Sequence, residues 1–412
     1  MLKGWAVTVG IAALGLSILA AGESQAKVEG DTIYLGAAVS LTGKYTTAGE
    51  HTQRGYDLAV KTINDAGGIT VDGKTYRLEV IYYDDESTPA RGAQLAERLI
   101  NQDGVEFMLG PYSSGLTKAI APVTEQYGVP MVEANGASLQ LFNKGYRYLF
   151  AVLSTTEQYL ASAVALAAEL AEREGRDPAT LKLAGAFEND PFSQDIRAGV
   201  IADAAKLGIQ VVIDDQLPPE LNDMAATLAK AKAVKPDILV VSGHSKGAAL
   251  AIRQVEEMRL DVPMLAITHC DSADVIGKFG AASEYTLCAS QWAPTLSYRD
   301  DVFGSAADFA ATFEAEYGYA PPYQAAESSA AVIVFADAFE RAGGFDKDAV
   351  RDALATTEMQ TFYGNIKFDE TGKNIAKPMV LYQIQDGAYV VVAPTKWAAS
   401  EVRHPTPPWS ER

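Results

Sequence analysis

The chain has 412 residues, with 53 acidic side chains against 34 lysines and arginines, and its formal net charge is −19 at pH 7. Such a charge repels nucleic acid and anionic membrane surfaces, so we expect neither as a partner. The length is sufficient for two domains.

Residues 1–26 are predicted to be a signal peptide that is not part of the fold. Lys3 gives a positive start, residues 5–20 are apolar or small, and Ser24 and Ala26 occupy the −3 and −1 positions of a cleavage site. The apolar run is short for a membrane span, which needs about 20 residues. No cysteine follows it, which argues against a lipoprotein anchor, and an uncleaved anchor helix is the weaker alternative. The sequence therefore predicts export to the periplasm and a mature chain that begins near Lys27.

Short β-branched runs then alternate with longer amphipathic stretches. Strands are predicted at residues 32–39, 78–83, 105–109 and 129–133, and helices at 50–65, 89–101 and 114–127. Strands separated by helices imply βαβ units and a parallel sheet that is covered on both faces.

The same pattern restarts after residue 150. Strands are predicted at 183–187, 209–213, 238–242 and 264–268, and helices at 193–207, 222–234 and 246–259. Two successive doubly wound units predict an α/β fold of two Rossmann-like lobes with parallel-sheet cores. Helices at 306–317 and 323–342 precede strands at 379–384 and 389–392, and the proline-rich tail from residue 403 is predicted to be an extended strap.

The sharpest short motif favours a different function. Residues 243–247, GHSKG, fit the G-x-S-x-G turn of a serine hydrolase, with Ser245 as the nucleophile. That chemistry needs an acid and then a histidine downstream. His269 is too near in sequence, His404 lies in the tail, and no His-Gly-Gly segment precedes the motif. We therefore expect no enzyme activity and keep a secreted hydrolase as an alternative.

Signatures of cofactors and metals are missing as well. The turn at residues 40–44 lacks G-x-G-x-x-G, and no Walker A sequence occurs. No two of the four histidines are spaced i, i+4, and His269, Cys270 and Asp271 make a weak ligand cluster because adjacent extended residues point to opposite sides. We expect no cofactor and no metal. Cys270 and Cys288 either form a disulfide, which an oxidising compartment permits, or remain two buried thiols.

Polar turns follow the predicted strands, at the edge where open α/β sheets bind ligands. In the first unit these turns carry the candidate ligand residues Tyr112, Ser113, Ser114, Gly136, Ala137 and Ser138. Hydroxyl groups and free N–H groups at the start of a helix favour an anion. A plain N-cap role for the serines is the alternative.

Bulkier residues follow the strands of the second unit. The candidates there are Phe192, His244 and His269. A phenyl ring can pack against an apolar ligand body, and imidazoles can donate hydrogen bonds to oxygen atoms. The alternative for each is a residue near a helix start whose side chain is satisfied within the protein.

Five segments together are more specific than any single motif. They are residues 33–43 (IYLGAAVSLTG), 64–69 (NDAGGI), 83–85 (YDD), 128–130 (GVP) and 368–372 (FDETG). In order and spacing they resemble the leucine/isoleucine/valine-binding family of type I periplasmic solute-binding proteins, which serve ABC importers. The likeness covers nearly the whole mature chain.

The resemblance implies two lobes that close over a ligand and are joined by three crossings, near residues 150–153, 290–293 and 362–366. The N-terminal lobe would comprise residues 27–150 and 293–362, and the C-terminal lobe residues 151–292 and 363–412. The family pattern also implies that a serine matched by Ser113 and a turn matched by Gly136, Ala137 and Ser138 hold the ligand carboxylate. Phe192 and His244 would close the site.

One departure from the family concerns the ligand. Amino-acid binders carry an acid that pairs with the α-ammonium, where this chain has Thr268 and His269. An unpaired ammonium in a closed cleft is costly, so we expect a non-amino carboxylate, aromatic or branched, to bind at least as well as leucine or valine. The alternative is that another acid serves the ammonium, the candidates being Glu133, Glu188, Asp271 and Glu327.

The function implied by the resemblance is capture of a branched-chain amino acid or a related small carboxylate. The protein would act as a monomer that docks on inner-membrane permease subunits. A ligand-sensing subunit of a receptor kinase is a further alternative.

Overall fold

The computed structural model describes Met1 and residues 27–412. The rest of the predicted signal peptide lies outside the described residues. Within the described part, no helix combines the length and the apolar character that crossing a membrane requires.

The first lobe is built on a seven-stranded sheet, whose strands are β1 (Val28–Glu29), β2 (Thr32–Val39), β3 (Ile69–Val71), β4 (Lys74–Asp84), β5 (Met108–Leu109), β6 (Met131–Glu133) and β7 (Leu149–Ala151). Their order in the sheet is β3-β4-β2-β5-β6-β7, with β1 paired to β2. The helices between them are α1 (Thr46–Asp65), α2 (Pro89–Asn101), α3 (Ser114–Tyr127) and α4 (Leu139–Phe142). Strands β4, β2, β5, β6 and β7 run parallel.

The second lobe repeats this arrangement. Its first strands are β8 (Lys182–Glu188), β9 (Gln210–Leu217), β10 (Ile238–Ser242), β11 (Met264–Thr268) and β12 (Leu287–Ser290). Its helices are α5 (Ala161–Arg173), α6 (Pro191–Leu207), α7 (Ala225–Val234), α8 (Ser245–Glu257) and α9 (Val275–Phe279). Every residue of β10 and β11 is buried, as expected for parallel strands with both faces covered.

The remaining elements return to the first lobe and then complete the second sheet. They are β13 (Arg299–Asp300), β14 (Gly304–Ser305), α10 (Ala306–Tyr317), α11 (Tyr323–Ala342), α12 (Lys347–Ala355), β15 (Glu358–Gln360), β16 (Asn365–Lys367), β17 (Val380–Gln385) and β18 (Ala388–Ala393). The second sheet has the order β18-β17-β12-β11-β10-β8-β9. The predicted fold class, two α/β lobes with parallel-sheet cores, is confirmed.

Helix α11 is buried along most of its length and packs against α1. A Cβ atom at Gly55 of α1 would lie 2.3 Å from the carbonyl oxygen of Ala325, so only glycine allows the two backbones to approach this closely. The Ser329 hydroxyl also donates to the Gly55 carbonyl at 2.7 Å. The contact fixes the first turns of α11, which carry Tyr323 and Glu327.

The chain passes between the two sheets after β7, after β12 and between β16 and β17. Buried side chains connect these passages. Gln291 accepts from the Ser154 N–H at 3.1 Å, the Ser154 hydroxyl donates to the Lys377 carbonyl at 2.6 Å, and the Lys377 ammonium donates to the Gln291 carbonyl. Burial lowers the pKa of Lys377 to about 7. The lobe boundaries given above stay a prediction.

The C-terminal tail, residues 401–412, contains neither helix nor strand and lies along the second lobe. The Thr406 N–H donates to the Pro263 carbonyl at 2.9 Å, and the Trp409 indole donates to the Leu260 carbonyl at 2.9 Å. Trp409 is buried, so this segment is part of the lobe and not a free end.

Candidate ligand site between the lobes

Residues that follow the strands of the two sheets meet between the lobes. Tyr112 comes shortly after β5, His244 after β10 and His269 directly after β11. The Tyr112 hydroxyl shares hydrogen bonds of 2.9 Å with His244 Nδ1 and with His269 Nε2. All three side chains are buried. The structure thus brings together three candidate residues from separate turns.

Other rings complete an aromatic cluster around these three. The centroid of Phe192 lies 5.2 Å from that of His244 and 5.1 Å from that of His269, and the Tyr45 ring lies 4.8 Å from His244. The aromatic cluster comprises Tyr45, Tyr112, Tyr159, Phe192, His244, His269 and Tyr323. A cavity of about 140 Å³ borders it and is lined in part by Tyr45, Tyr112 and His244.

Sequence reasoning missed three members of this cluster. Tyr45 belongs to the turn that follows β2, so the rule that found the other turns would have found it as well. Tyr159 lies beside the short 3₁₀ turn before α5, and Tyr323 is the first residue of α11. Neither follows a strand directly, so no local pattern indicated them.

The serines of the first lobe begin α3 and contact its neighbours. Ser113 has a φ of 83° and accepts from the Leu116 N–H at 3.3 Å, which makes it the N-cap of α3. Ser114 accepts from the Ser138 N–H at 3.0 Å, and the Ser138 hydroxyl donates to Asp195 of α6 at 2.5 Å. Both predicted turns therefore lie side by side, and Ser138 already contacts the second lobe.

Glu133, at the end of β6, shapes the second of these turns. Its Oε1 atom accepts from the N–H groups of Asn135 and Gly136, both at 2.6 Å, and its Oε2 atom accepts from the Thr117 hydroxyl at 2.8 Å. A Cβ atom at Gly136 would come 2.1 Å from the Thr117 hydroxyl oxygen, so this position requires glycine. Burial raises the pKa of Glu133 to about 7. Ala137, next in the turn, is buried too.

The other acids that were candidates to pair with a ligand ammonium also have partners within the protein. Glu188 pairs with Lys44 of the first lobe, and Asp271 accepts from the N–H groups of Ser272 and Tyr323. Burial raises the pKa of Asp271 to about 6. Glu327 is buried one turn after Tyr323 and accepts from the Tyr363 hydroxyl at 3.0 Å. Burial raises the pKa of Glu327 well above its usual range, against the opposing effects of Tyr363 and Lys377.

Two arrangements bear on metal binding. Glu188, Asp190 and His244 bring one ligand atom each to within 4.8 Å of one another. These atoms already pair with Lys44 or with each other, as the 2.6 Å contact between His244 Nε2 and Asp190 Oδ2 shows. The weak cluster of His269, Cys270 and Asp271 loses its sulfur ligand, because Cys270 and Cys288 form a disulfide. The alternative prediction for the cysteines, two buried free thiols, was therefore wrong.

The Ser245 hydroxyl lies 2.5 Å from the Ser272 hydroxyl. The neighbouring His244 uses both ring nitrogens elsewhere, on Asp190 and on Tyr112. No imidazole hydrogen-bonds to Ser245 within the described residues, so the GHSKG turn has no general base in place.

A doubly wound two-lobed fold with a buried polar and aromatic cluster between the lobes is the architecture of proteins that close two lobes over a small ligand. The profile of the family described as "Periplasmic binding protein" matches residues 32–388, and the chain belongs to this family. The family consists of solute-binding proteins and not of enzymes, and the predicted membership is confirmed.

Individual relatives match this chain over nearly its full length. The chain is 24% identical to the Leu/Ile/Val-binding protein homolog 7 of Brucella abortus, over 95% of this chain and 98% of that protein. It is similar in structure to the branched-chain amino acid transporter substrate binding protein LivJ of Streptococcus pneumoniae, solved with isoleucine (TM-score 0.75, 24% identity, 91% of this chain and 100% of that chain). With the same TM-score of 0.75 it is similar to an ABC transporter solute binding protein of Rhodopseudomonas palustris, solved with 3,4-dihydroxy benzoic acid. The two are 20% identical, over 93% of this chain and 100% of that chain.

Proposed function

We propose that this chain is the periplasmic solute-binding protein of an ABC importer and that it captures a small organic carboxylate between its lobes. The observation that carries the proposal is the hydrogen bonding of Tyr112 from the first lobe to His244 and His269 of the second. A binding site made by both lobes couples ligand capture to lobe closure. The closed, loaded form would then dock as a monomer on the inner-membrane permease subunits.

The first lobe supplies the anion site in this proposal. Ser113 caps α3, a helix of 14 residues whose free N–H groups and dipole favour a negative charge. Ser114, Ser138 and the backbone of Gly136 and Ala137 lie beside it. We assign the ligand carboxylate to the Ser113 and Ser114 hydroxyls and the free N–H groups at the start of α3, since the Ser138 hydroxyl and the Gly136 N–H already donate to Asp195 and Glu133.

The aromatic cluster contacts the body of the ligand in this proposal. Phe192 and Tyr45 offer flat faces, which suit a branched aliphatic chain or an aromatic ring. Two structurally similar proteins were solved with isoleucine and with 3,4-dihydroxy benzoic acid, and both molecules are carboxylates with such bodies. The ligand class proposed here is therefore a branched or aromatic carboxylate.

A thermal-shift screen of the mature protein tests the proposal. The probes are leucine, valine, isoleucine, benzoate and 3,4-dihydroxybenzoate, because binding stabilises the folded state by RT ln(1 + [L]/Kd). At least one carboxylate should raise the unfolding temperature, and the Ser113→Ala variant should show a smaller rise. If millimolar concentrations of every probe leave the wild-type unfolding temperature unchanged, the proposed ligand class is wrong.

A further inference from the structure

A large cavity between the lobes adjoins the candidate ligand site. Its volume is about 660 Å³, within the range of roughly 300–1,000 Å³ that is usual for ligand pockets. Thr47 and His51 of the first lobe line it on one side, and Asp271, Tyr382 and Tyr389 of the second lobe line it on the other. We call this cavity the chamber.

The chamber meets the smaller cavity of about 140 Å³ that borders the aromatic cluster. Both cavities are lined by Thr47 and Lys278. The smaller cavity is also lined by Tyr112, which directly precedes Ser113 at the start of α3. A ligand whose carboxylate lies at the start of α3 can therefore extend past Tyr112 into the chamber.

The charges that line the chamber favour a cation. A single ammonium lines it, that of Lys278, which donates to the Ala273 carbonyl at 2.5 Å. His51 adds no charge at neutral pH, because burial and, to a lesser degree, the nearby Arg54 lower its pKa to about 4. Against this one ammonium stand three carboxylates, those of Asp271, Asp274 and Glu314.

Asp271 is the carboxylate of this set that lies next to the cluster in sequence, two residues after His269. Its oxygens accept from the N–H groups of Ser272 at 2.8 Å and Tyr323 at 3.2 Å, and it makes no ion pair in the part of the chain that the structure describes. Burial raises its pKa to about 6, so Asp271 is ionised at pH 8. A buried carboxylate without a counter-ion is unfavourable, and a ligand ammonium would supply that counter-ion.

Two aromatic rings accompany this carboxylate. The ring centroids of Tyr382 and Tyr389 are 5.5 Å apart, and both side chains line the chamber. Burial raises the pKa of Tyr389, and the negative charges of Asp271 and Asp274 raise it further, so both carboxylates act on this ring. Aromatic faces attract ammonium groups. The chamber therefore combines a carboxylate and aromatic rings, which are the groups that bind an amine.

The acids beside the aromatic cluster, by contrast, already have partners. Glu188 pairs with Lys44, and Asp190 Oδ2 lies 2.6 Å from His244 Nε2. An ammonium is therefore better placed in the chamber, away from the carboxylate site at Ser113, which lines neither cavity. The amino and carboxyl groups of an α-amino acid share one carbon atom and cannot occupy both places.

We propose that the ligand is an extended zwitterion, whose carboxylate binds at the start of α3 and whose remote ammonium binds in the chamber against Asp271, Tyr382 and Tyr389. The inference rests on the proposed function, since it takes the carboxylate site from it. It narrows the ligand class to carboxylates that carry an amino group at the far end of the body.

Calorimetry of the mature protein at pH 8 tests the ligand class with three matched probes. The isomers 2-aminohexanoate and 6-aminohexanoate differ only in the position of the amino group, and hexanoate lacks it. Aliphatic amines, with a pKa of about 10, are protonated at this pH. The wild type should bind 6-aminohexanoate about 10-fold or more tightly than either other probe. Among aromatic bodies, 4-(aminomethyl)benzoate should likewise bind more tightly than 4-methylbenzoate.

Asp271→Asn tests the residue, because it keeps an acceptor for the N–H groups and removes the charge. The ratio of the dissociation constants of hexanoate and 6-aminohexanoate should fall to near one. Asp195→Asn is the matched control, an acid of the same lobe that contacts Ser138 and does not line the chamber. It should change both dissociation constants alike and leave the ratio as in the wild type.

A second variant tests the place without changing a charge. Ala310 of α10 lines the chamber, so Ala310→Trp should fill part of it and weaken 6-aminohexanoate by more than hexanoate. Ala311→Trp is the matched control, because Ala311 is the next residue of the same helix, is exposed and does not line the chamber. It should bind both probes as the wild type does.

The outcomes separate this inference from the proposed function. Equal affinities of the wild type for hexanoate and 6-aminohexanoate, or a preference for 2-aminohexanoate, overturn the extended zwitterion and leave the capture of a carboxylate in place. A preference for 6-aminohexanoate that persists in both Asp271→Asn and Ala310→Trp overturns the chamber as its site. If none of these carboxylates binds, the proposed function is wrong and the inference is refuted with it.

Discussion

Two candidate ligand residues have positive backbone φ angles, which residues other than glycine rarely adopt. The φ angle is 83° at Ser113 and 63° at His269, and each residue stands in a turn that follows a strand. Such conformations cost of order 1–3 kcal/mol and persist where the surroundings enforce them. The α3 cap holds Ser113, and Tyr112 holds His269. Strain at these positions is consistent with their assignment to binding and not to the core.

Replacing Ser113 with alanine should weaken ligand binding. In the proposed anion site its hydroxyl makes a charge-assisted hydrogen bond worth about 1.5–3 kcal/mol, so the dissociation constant should rise roughly 10- to 150-fold. Calorimetry with whichever carboxylate stabilises the wild type measures this. Ser305→Ala is the matched control, since that serine likewise caps a helix, α10, away from the cavity beside the aromatic cluster, and its affinity should match the wild type. Unchanged affinity in Ser113→Ala would move the anion site elsewhere.

Glu133→Gln should change how stability depends on pH. The folded-state pKa of Glu133 is about 7 against an ordinary value of 4.5, so the folded protein binds the proton more tightly than the unfolded chain. Its favourable contribution is complete below pH 4.5 and is lost as the pH rises through 7. A glutamine keeps the acceptor for Asn135 and Gly136 and does not ionise.

The free energy of unfolding of the wild type should therefore fall relative to that of Glu133→Gln between pH 5 and 8, by on the order of 3 kcal/mol. Urea titrations across this range measure the difference. Glu133→Ala, which removes the acceptor altogether, should be less stable than both at every pH. Parallel pH profiles for the wild type and Glu133→Gln would show that this carboxyl does not titrate in the window.

At the scale of elements, the disulfide joins the segment that follows β11 to β12, and Cys270 directly follows His269. The bridged cysteines are 18 positions apart, and closing a loop of that size stabilises a protein by about 3 kcal/mol in the chain-entropy account. A Cys270→Ser/Cys288→Ser variant should unfold at a lower temperature than the oxidised wild type. The wild type in reductant should unfold near the variant. Equal unfolding temperatures in all three samples would contradict a stabilising role.

The regular elements were readily predicted from the sequence, because strong periodicity and clear ends mark them. Helix α2 and strand β10 have the predicted bounds, Pro89–Asn101 and Ile238–Ser242. Helix α5 (Ala161–Arg173) escaped prediction because its alanine-rich sequence is buried on more than one face and lacks a clear apolar stripe. The short strands β7 and β12 were not predicted, whereas β5 and β6, which are no longer, were predicted as parts of the longer runs 105–109 and 129–133.

The candidate site was predictable only in part. Strand-end turns indicated Ser113 and His269, since position in a parallel sheet decides which residues reach that edge. Tyr323 and the contact between His244 and Asp190 depend on how α11 and α6 pack, which no local pattern contains.

At the scale of the whole molecule, polar contacts hold the two lobes together around the cluster. Lys44 of the first lobe pairs with Glu188 of the second, whose side chain is only 1% exposed, and Ser138 donates to Asp195. These contacts form only when the lobes are close. They therefore contribute to the free energy of closure as well as to the site.

Lys44→Met should weaken ligand binding about 10-fold, because closure would then bury the Glu188 carboxylate without its partner. The double variant Lys44→Met/Glu188→Gln should recover most of that loss, since it removes the unpaired charge. Lys61→Met is the matched control, a lysine of the same lobe whose pairs with Asp65 and Glu316 are on the surface. Titration calorimetry measures all four proteins. Double and single variants with equal losses would exclude a closure role for the pair.

The course of the C-terminal tail decides how the molecule can be attached to a solid support. Strand β11 begins at Met264 and ends beside His269, whereas the tail is held at Leu260 and Pro263, before the strand begins. The last residues therefore leave the second lobe at the edge of the sheet opposite to the aromatic cluster. A protein immobilised through Arg412 would present its cleft to the solution, which makes the C-terminus the natural anchoring point for an electrode or an optical sensor surface.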